Sequence, residues 1–489
     1  MINQLRSGKN YKWIAIAVIA IGLFASVADN QGMVVSLPTI AIEFDTDLPV
    51  VQWVVVGYSL TITVLLLPMG RLGDIIGRKK VYIWGFLIFV LAGFAAGRAS
   101  SVEFLVIAKV LQGVGSAMTQ GTAMAMVIAA FPQEERGKAL GVQMSVVGVG
   151  GILGPTIAGF LIASFGWPWV FYGTAGVGLV ATIGGFVVLK SVDESESLGV
   201  DEGFDWGGAV LSAATLIAFH AILLMGPLFG WISFVSAANV GIFLICIGLF
   251  VYWELRVDSP MLTLSLFRDS VFVVASLARY TAFLAMSSVR FLMPFYLEWV
   301  LGFGTGTVGL ILVPAAICMI LTGPISGPLA DRYGWRRFSV SGLLIICSGL
   351  GVSALLGMHS HVSMPILIMV LVGLGTGIFN PANGAAILNR ADRAHYGVVA
   401  GFTNLLRNSG NVSGISLATA IVSARLVHLG YDAGMTGVSS TISGGPLGIA
   451  FLSGMQLACL AVAGALLVAV LLIVVFRSAR ANMEQPVLS

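Results

Sequence analysis

Charge is scarce in this sequence. Asp, Glu, Lys and Arg make up 10% of the 489 residues, against about 25% in an ordinary soluble domain. The net charge of +3 is spread over short segments between apolar runs. Confined to loops, that charge says nothing of nucleic acid, and no nucleic-acid partner is expected of a chain this apolar. Cysteine is equally thin. Cys246, Cys318, Cys347 and Cys459 each stand alone in an apolar run, with no CxxC pair and no metal spacing. They read as packing residues, and no metal is expected. The five histidines are scattered, and HExxH, a nucleophile elbow and loop acids paired with a histidine are all missing. A membrane enzyme is therefore disfavoured and no cofactor is expected. Large loops and tails are missing too, which argues against a scaffold or receptor.

Apolar sequence is what the chain has in abundance. The hydrophobic fraction is 58% and the mean hydropathy +0.99. About 20 apolar residues cross a bilayer as a helix. Fourteen such runs are expected, near 13–37, 48–72, 81–97, 103–130, 138–163, 167–190, 207–226, 233–253, 270–298, 306–330, 337–357, 363–389, 396–424 and 447–476. The first run is too long for a secretory h-region and holds an acid, so it reads as a span. If the N-terminus is cytoplasmic, the even-numbered turns and the tails carry 19 of the 25 Lys and Arg residues. That bias predicts both termini inside.

One stretch organises the rest. GRLGDIIGRKK, Gly70–Lys80, reads as a short charged turn between two spans, and it returns as GPLADRYGWRR at Gly327–Arg337. Gly70 and Gly327, Asp74 and Asp331, and Gly77 and Gly334 are each 257 positions apart. A turn recurring in register predicts an internally duplicated transporter. The fold expected is an all-α membrane protein: two six-helix bundles with pseudo-two-fold symmetry and two extra helices between them. The boundaries expected are a first bundle at 1–190, an acidic linker at 191–206, the extra pair at 207–253, and the second bundle with a short tail at 254–489.

Charges inside spans are costly, about 2.5–3.5 kcal/mol each on insertion scales, and face a cavity or a partner. Asp29, followed by Asn30 and Gln31, interrupts the first span. It reads as a carboxyl that alternates between a proton and a cation, or as the fixed partner of Lys109. Lys109 in AKVLQGVGSA, with Gln112 one turn on, either senses protonation or only neutralises. Arg279 and Arg290 share one helical face, with Glu298 on that face or its rim; they read as functional charges, or equally as interhelix ion pairs or an outer-surface anchor. Arg407 lies in NLLRNSGN beside Asn404, Asn408 and Asn411, a polar stripe that reads either as cavity lining or as interhelix glue. In the fifth span Gly150, Gly154, Pro155 and Gly159 predict a tight, bent packing seam.

With these motifs in hand, the chain resembles the major facilitator superfamily, and within it the fourteen-helix drug:proton antiporters. Gly70–Lys80 is similar to its signature loop, 109–117 to its fourth-helix motif, and Gly150–Gly159 to its antiporter motif. DNQGMVVSLP at Asp29–Pro38 is similar to the branch's first-helix acid motif. The resemblance covers about 10–480. The chain departs from it at Lys109, where the family usually has Arg, and at Val34, Ala158 and Glu298.

The resemblance implies alternating access by two bundles and proton-coupled multidrug efflux of amphipathic, cationic compounds. The alternative is export of anionic or lipid-like amphipaths. The coupling residues implied are Asp29 and Lys109. The substrate cavity implied takes in Phe24, Asn30, Gln31, Trp53, Tyr58, Gln112, Arg290, Glu298, Asn404 and Arg407. A cytoplasmic latch would use Gly70, Asp74, Gly77, Arg78, Gly327, Asp331 and Arg332. The partners implied are a small amphipathic substrate, protons and the lipid bilayer. The setting implied is a bacterial-type inner membrane, with the chain as a monomer.

Overall fold

The structure, a computed structural model, describes residues 11–130, 136–189, 205–230, 233–257, 264–390, 396–431 and 445–481. The acidic stretch expected as a linker lies outside them up to residue 204. Among the described residues the chain is helical, with fourteen α-helices. The first eight are α1 (Tyr11–Glu43), α2 (Leu48–Ile76), α3 (Arg78–Ala96), α4 (Val102–Ala130), α5 (Arg136–Phe165), α6 (Pro168–Val188), α7 (Trp206–Phe229) and α8 (Phe234–Glu254). The other six are α9 (Ser270–Phe295), α10 (Thr305–Tyr333), α11 (Trp335–Ser353), α12 (Ser363–Leu388), α13 (Tyr396–His428) and α14 (Pro446–Ala481).

Twelve of the helices are long and apolar enough to cross a bilayer. Of the fourteen spans expected, α5 and α11 fall short of that mark. For α5 only Val149–Phe165, a shorter apolar stretch among the described residues, counts toward it, and α11 carries Arg336, Arg337 and four serines in 19 residues. Large apolar side chains point outward: Phe160, Phe186, Leu321 and Leu471 are each at least 60% exposed. Such a surface suits hydrocarbon, not water.

The chain divides into two compact units near Trp253, and residues 302–313 cluster with the first. The extra helices α7 and α8 belong to the first unit, where α7 packs on α2. Asp205 caps α7 by accepting from the Gly208 N–H at 2.8 Å and from Trp253 Nε1 at 2.7 Å, which ties the start of α7 to the end of α8.

Within each unit the same helix pairs touch. In the first they are α1 with α5 and α6, and α3 with α4 and α6. In the second they are α9 with α13 and α14, and α11 with α12 and α14. The correspondence reaches single residues. A Cβ built on Gly85 of α3 would lie 2.9 Å from the Gly115 carbonyl of α4. One built on Gly342 of α11 would lie 2.7 Å from the Gly375 carbonyl of α12. Gly342 is 257 positions beyond Gly85, the spacing of the repeated charged turn. Close backbone crossings of this kind need glycine on both helices.

The repeated turn itself differs from expectation. Gly70–Ile76 is the last part of α2, and Arg78 already starts α3. The break is one residue, Gly77, with φ +101°. Its counterpart Gly334, φ +95°, is the sole residue between α10 and α11. Each donates its N–H back into the preceding helix, to Gly73 at 3.1 Å and Ala330 at 2.8 Å. Charged residues form helix as readily as turn, so the charges in these stretches mark a membrane edge, while the glycine alone marks the bend. Gly77→Ala and Gly334→Ala are each expected to cost about 1–3 kcal/mol. Denaturant titration of the purified protein checks this, with Gly351→Ala as control, because a Cβ there meets nothing within 4 Å.

Candidate functional site

Asp29 sits 14 residues before the end of α1 at Glu43, about 21 Å along the axis and hence deep in the span. It is fully buried, as is Lys109 of α4. Lys109 Nζ donates to Asp29 Oδ2 at 2.6 Å. It also donates to Gln112 Oε1 at 2.5 Å. Gln112 in turn donates from Nε2 to Asp29 Oδ1 at 3.3 Å. The i, i+3 spacing of Lys109 and Gln112 puts both on one face of α4, so the amide closes a triangle around the ion pair. Thr174 of α6 completes it by donating to Asp29 Oδ1 at 2.9 Å. The Lys109 ammonium also lies 4.6 Å from the Tyr58 ring centroid and 5.0 Å from that of Phe171. Both charges are matched and hydrogen-bonded, which is what makes their burial tolerable.

Beneath the pair runs a chain of hydroxyls. Tyr58 Oη is 2.7 Å from Ser116 Oγ and 3.2 Å from Ser26 Oγ, and Gln120 Nε2 donates to Ser26 Oγ at 3.1 Å. A small cavity between α1, α3 and α4 opens at Ser26 and Gln120.

The structure thus joins Asp29, Lys109 and Gln112, and presents the fixed-partner geometry for Asp29. Tyr58 and Gln112, expected to line the cavity, are fully buried, Gln112 bonding both members of the pair and Tyr58 lying under the Lys109 ammonium. Phe24, Asn30, Gln31 and Trp53 are half-buried, with Asn30 donating to Ser59 at 3.4 Å. In the second unit Arg290 and Glu298 are half-buried, and Glu298 falls in a π-helical turn, Tyr296–Val300. Asn404 and Arg407 are half-buried on α13.

The seam of α5 packs on α1. A Cβ on Gly150 would lie 3.0 Å from Val27, and one on Gly154 would lie 3.0 Å from the Ala28 carbonyl. Around Pro155 and Gly159, α5 meets residues 302–313. A Cβ on Gly159 would sit 2.6 Å from the Thr305 carbonyl, and one on Gly309 would sit 2.7 Å from the Pro155 carbonyl.

Of the latch residues, Gly70 lies against the Gly121 carbonyl of α4, 3.3 Å from a built Cβ. Gly327 lies against Pro381 of α12, 3.7 Å from a built Cβ. Arg78 is half-buried, while Asp331 and Arg332 are exposed. The side chain of Asp74 lies outside the described residues.

Sequence reasoning missed Thr174. The residue also bonds its own helix at the Val170 carbonyl, 3.1 Å away, just as Thr182 bonds Gly178 at 2.8 Å. Two threonines that look alike in sequence differ only in which one meets α1, a tertiary fact.

Comparison with known proteins fits this architecture. Residues 19–415 match the Major Facilitator Superfamily. The chain is 29% identical over 419 residues to the riboflavin transporter RibZ of Clostridioides difficile strain 630, covering 85% of this chain and 90% of that protein. It is 26% identical over 426 residues to the multidrug transporter protein MdtP of Bacillus subtilis strain 168, covering 87% and 78%. It is 30% identical over 419 residues to the multidrug resistance protein Stp of Mycobacterium tuberculosis H37Rv, covering 84% and 76%. Two solved structures share the fold. The POT family transporter PepTSo superposes with a TM-score of 0.67 at 16% identity, covering 96% of this chain and 99% of that one. A bacterial homologue of the human lysosomal transporter Spinster, inward-facing and unoccupied, superposes with a TM-score of 0.64 at 16% identity, covering 96% and 97%. With its duplicated helical units, its buried intramembrane ion pair and this match over most of its length, the chain belongs to the Major Facilitator Superfamily and is a membrane transporter, not an enzyme.

Proposed function

We propose that this chain exports amphipathic small molecules in exchange for protons, and that the Asp29–Lys109 pair is the element that answers to the proton. The observation that carries the reading is a carboxylate deep in a span, held by three donors on two other helices. Three species compete for such a group: a proton, Lys109 and a cationic cargo. In the arrangement seen here Lys109 holds it. A proton on Asp29 removes the charge that Lys109 is paired with, so the ammonium then needs another partner or water. That change of partner is the event that alternating access of the two bundles would use. Each charge moved across 100 mV is worth about 2.3 kcal/mol, enough for a concentration ratio of roughly 40-fold.

Two of the relatives carry names that speak of multidrug transport and resistance, and a third is named for riboflavin. The reading adopted is efflux of drug-like amphipaths by a monomer in a bacterial plasma membrane, both termini cytoplasmic, with the Gly70–Lys80 and Gly327–Arg337 segments acting as latch. A cationic cargo binds by taking the place of Lys109 at Asp29. A second reading, an anionic cargo, is favoured by one observation: α9, which carries Arg279, packs on α13, which carries Arg407, with Arg279 bonding the Thr403 carbonyl one turn before Arg407.

Proteoliposomes with an imposed pH gradient test the coupling. Asp29→Asn is expected to abolish pH-driven accumulation of a fluorescent organic cation while leaving down-gradient exchange in place. Full pH-driven accumulation by that variant would remove Asp29 from the mechanism.

A further inference from the structure

In the first unit the buried Lys109 is paired with a carboxylate; among the described residues no ion pair is found for Arg279 of the second unit. Helices α9 to α14 carry Arg279, Arg290 and Arg407 within their spans. The acids of this region, α9–α14 with the turn at Tyr296–Val300, are Glu298 and Asp331. Asp331 is exposed at the end of α10. Glu298 is 19 residues beyond Arg279, about 28 Å along the helix. One ion pair of the second unit, Arg390 with Asp269 at 3.4 Å, lies at the start of α9. Arg279 is nine residues further in, about 14 Å.

Arg279 is 92% buried, since its relative exposure is 8%. It donates from Nε to the Thr403 carbonyl at 3.2 Å and from Nη1 to Asn380 Oδ1 at 3.1 Å. Those bonds use two of the five N–H groups of a guanidinium. Thr403, whose carbonyl Arg279 bonds, is one turn before Arg407 on α13, which brings both arginines to the same stretch of the α9–α13 contact. Asn404, Arg407, Asn408 and Asn411 follow at i, i+3, i+4 and i+7, all partly open on one face. The Asn408 Nδ2 donor is buried without a hydrogen-bond partner. Phe283 lies 5.3 Å from the Arg279 guanidinium, an apolar wall beside the charge.

Two adjacent cations and a spare amide donor, with no carboxylate nearby among the described residues, match an oxyanion. We propose that Arg279 and Arg407, with Asn404 and Asn408, form a binding site in the second unit for the acidic group of an amphipathic molecule. The group is a carboxylate, sulfonate or phosphate, and Asn380 orients Arg279 toward it. This deepens the second cargo reading above and is independent of proton coupling. The acidic group comes from a transported amphipath or from an anionic lipid headgroup.

The test is equilibrium binding to the full chain in phosphatidylcholine nanodiscs, using dansylaminoundecanoic acid and its uncharged primary amide. The wild type is expected to prefer the acid. Arg279→Gln and Arg407→Gln should each weaken the acid about tenfold to a hundredfold and leave the amide unchanged. Asn408→Asp, which supplies an internal counter-ion and keeps both arginines, should weaken the acid in the same way. It carries the test if an Arg→Gln variant fails gel filtration. Native mass spectrometry of nanodiscs that also contain phosphatidylglycerol separates the sources. Acid preference marks a cargo site. Charge-dependent retention of phosphatidylglycerol without acid preference marks a headgroup site. If neither ligand responds to loss of the arginines or to Asn408→Asp, the site does not exist. No pH gradient enters the assay, so its failure is distinct from that of the Asp29→Asn experiment.

Discussion

Lys109→Met is expected to destabilise the protein by about 3–5 kcal/mol, the cost of leaving one member of a buried ion pair alone. The reason lies in what remains. Asp29 would keep Gln112 and Thr174 as donors, but it would lose the only cation that touches it among the described residues. Neither ion reaches water, because both side chains are fully buried. The double variant Asp29→Asn/Lys109→Met removes both charges and keeps an acceptor for Thr174. It should therefore recover most of the lost stability while transport driven by a pH gradient stays absent. Denaturant titrations of the four proteins form a double-mutant cycle. A coupling of about 3 kcal/mol or more is expected, whereas effects that add within about 0.5 kcal/mol would mean the pair does not exist in solution. Stability and transport separate here because a neutral pair packs adequately but offers a proton nothing to displace.

The second large effect concerns backbone, not charge. A Cβ on Gly375 would lie 2.6 Å from both the Gly342 carbonyl and Ile346 Cγ1, and 2.9 Å from the Ile346 nitrogen. Two of those three atoms are main chain and cannot swing away. Gly375→Leu must push α11 and α12 apart along their whole contact, so its cost is expected at about 3 kcal/mol or more, the upper end for overpacking. The matching variant in the first unit, Gly115→Leu, meets the Gly85 carbonyl and, at 2.6 Å, the Phe89 nitrogen. It should fail in the same way. Gly464→Leu is the control, since that glycine is exposed on α14 with nothing within 4 Å. The monodisperse fraction on gel filtration and the thermal midpoint by tryptophan fluorescence report all three. Equal behaviour of Gly375→Leu and Gly464→Leu would show that the crossing is looser than described.

Fold class was legible because a bilayer leaves few options: long apolar runs with charged edges become helices, and a charged segment repeated at constant spacing marks duplication. The glycine crossings were not legible. With 61 glycines in the chain, sequence alone does not tell Gly115, pressed against another backbone, from Gly151, where an added Cβ would meet nothing within 4 Å. The bend at Gly77 was hidden for the opposite reason, because its charged neighbours drew attention to a whole turn where the backbone needs one residue. At the site, Asp29 and Lys109 stand out since ionised groups are rare in spans, and Gln112 follows from helical spacing. Thr174, Ser26 and Ser116 did not stand out, because membrane helices routinely satisfy such hydroxyls on their own carbonyls; Tyr58 stood out only as a cavity residue. The pairing of Arg279 with Arg407 escaped notice as well: 128 positions separate them in sequence, and only the packing of α9 on α13 makes them neighbours.

The order in which the ion pair is built has a consequence for biogenesis. Lys109 follows Asp29 by 80 residues, so at about 5–20 residues per second the acid emerges from the ribosome roughly 4–16 s before its counter-ion. During that interval a first helix released singly into lipid would carry an unmatched carboxyl, at about 2.5–3.5 kcal/mol. Retention beside the insertion machinery until the fourth helix arrives removes that penalty. Nascent-chain crosslinking should accordingly find α1 lingering at the translocon, and leaving it sooner once Asp29 is replaced by leucine.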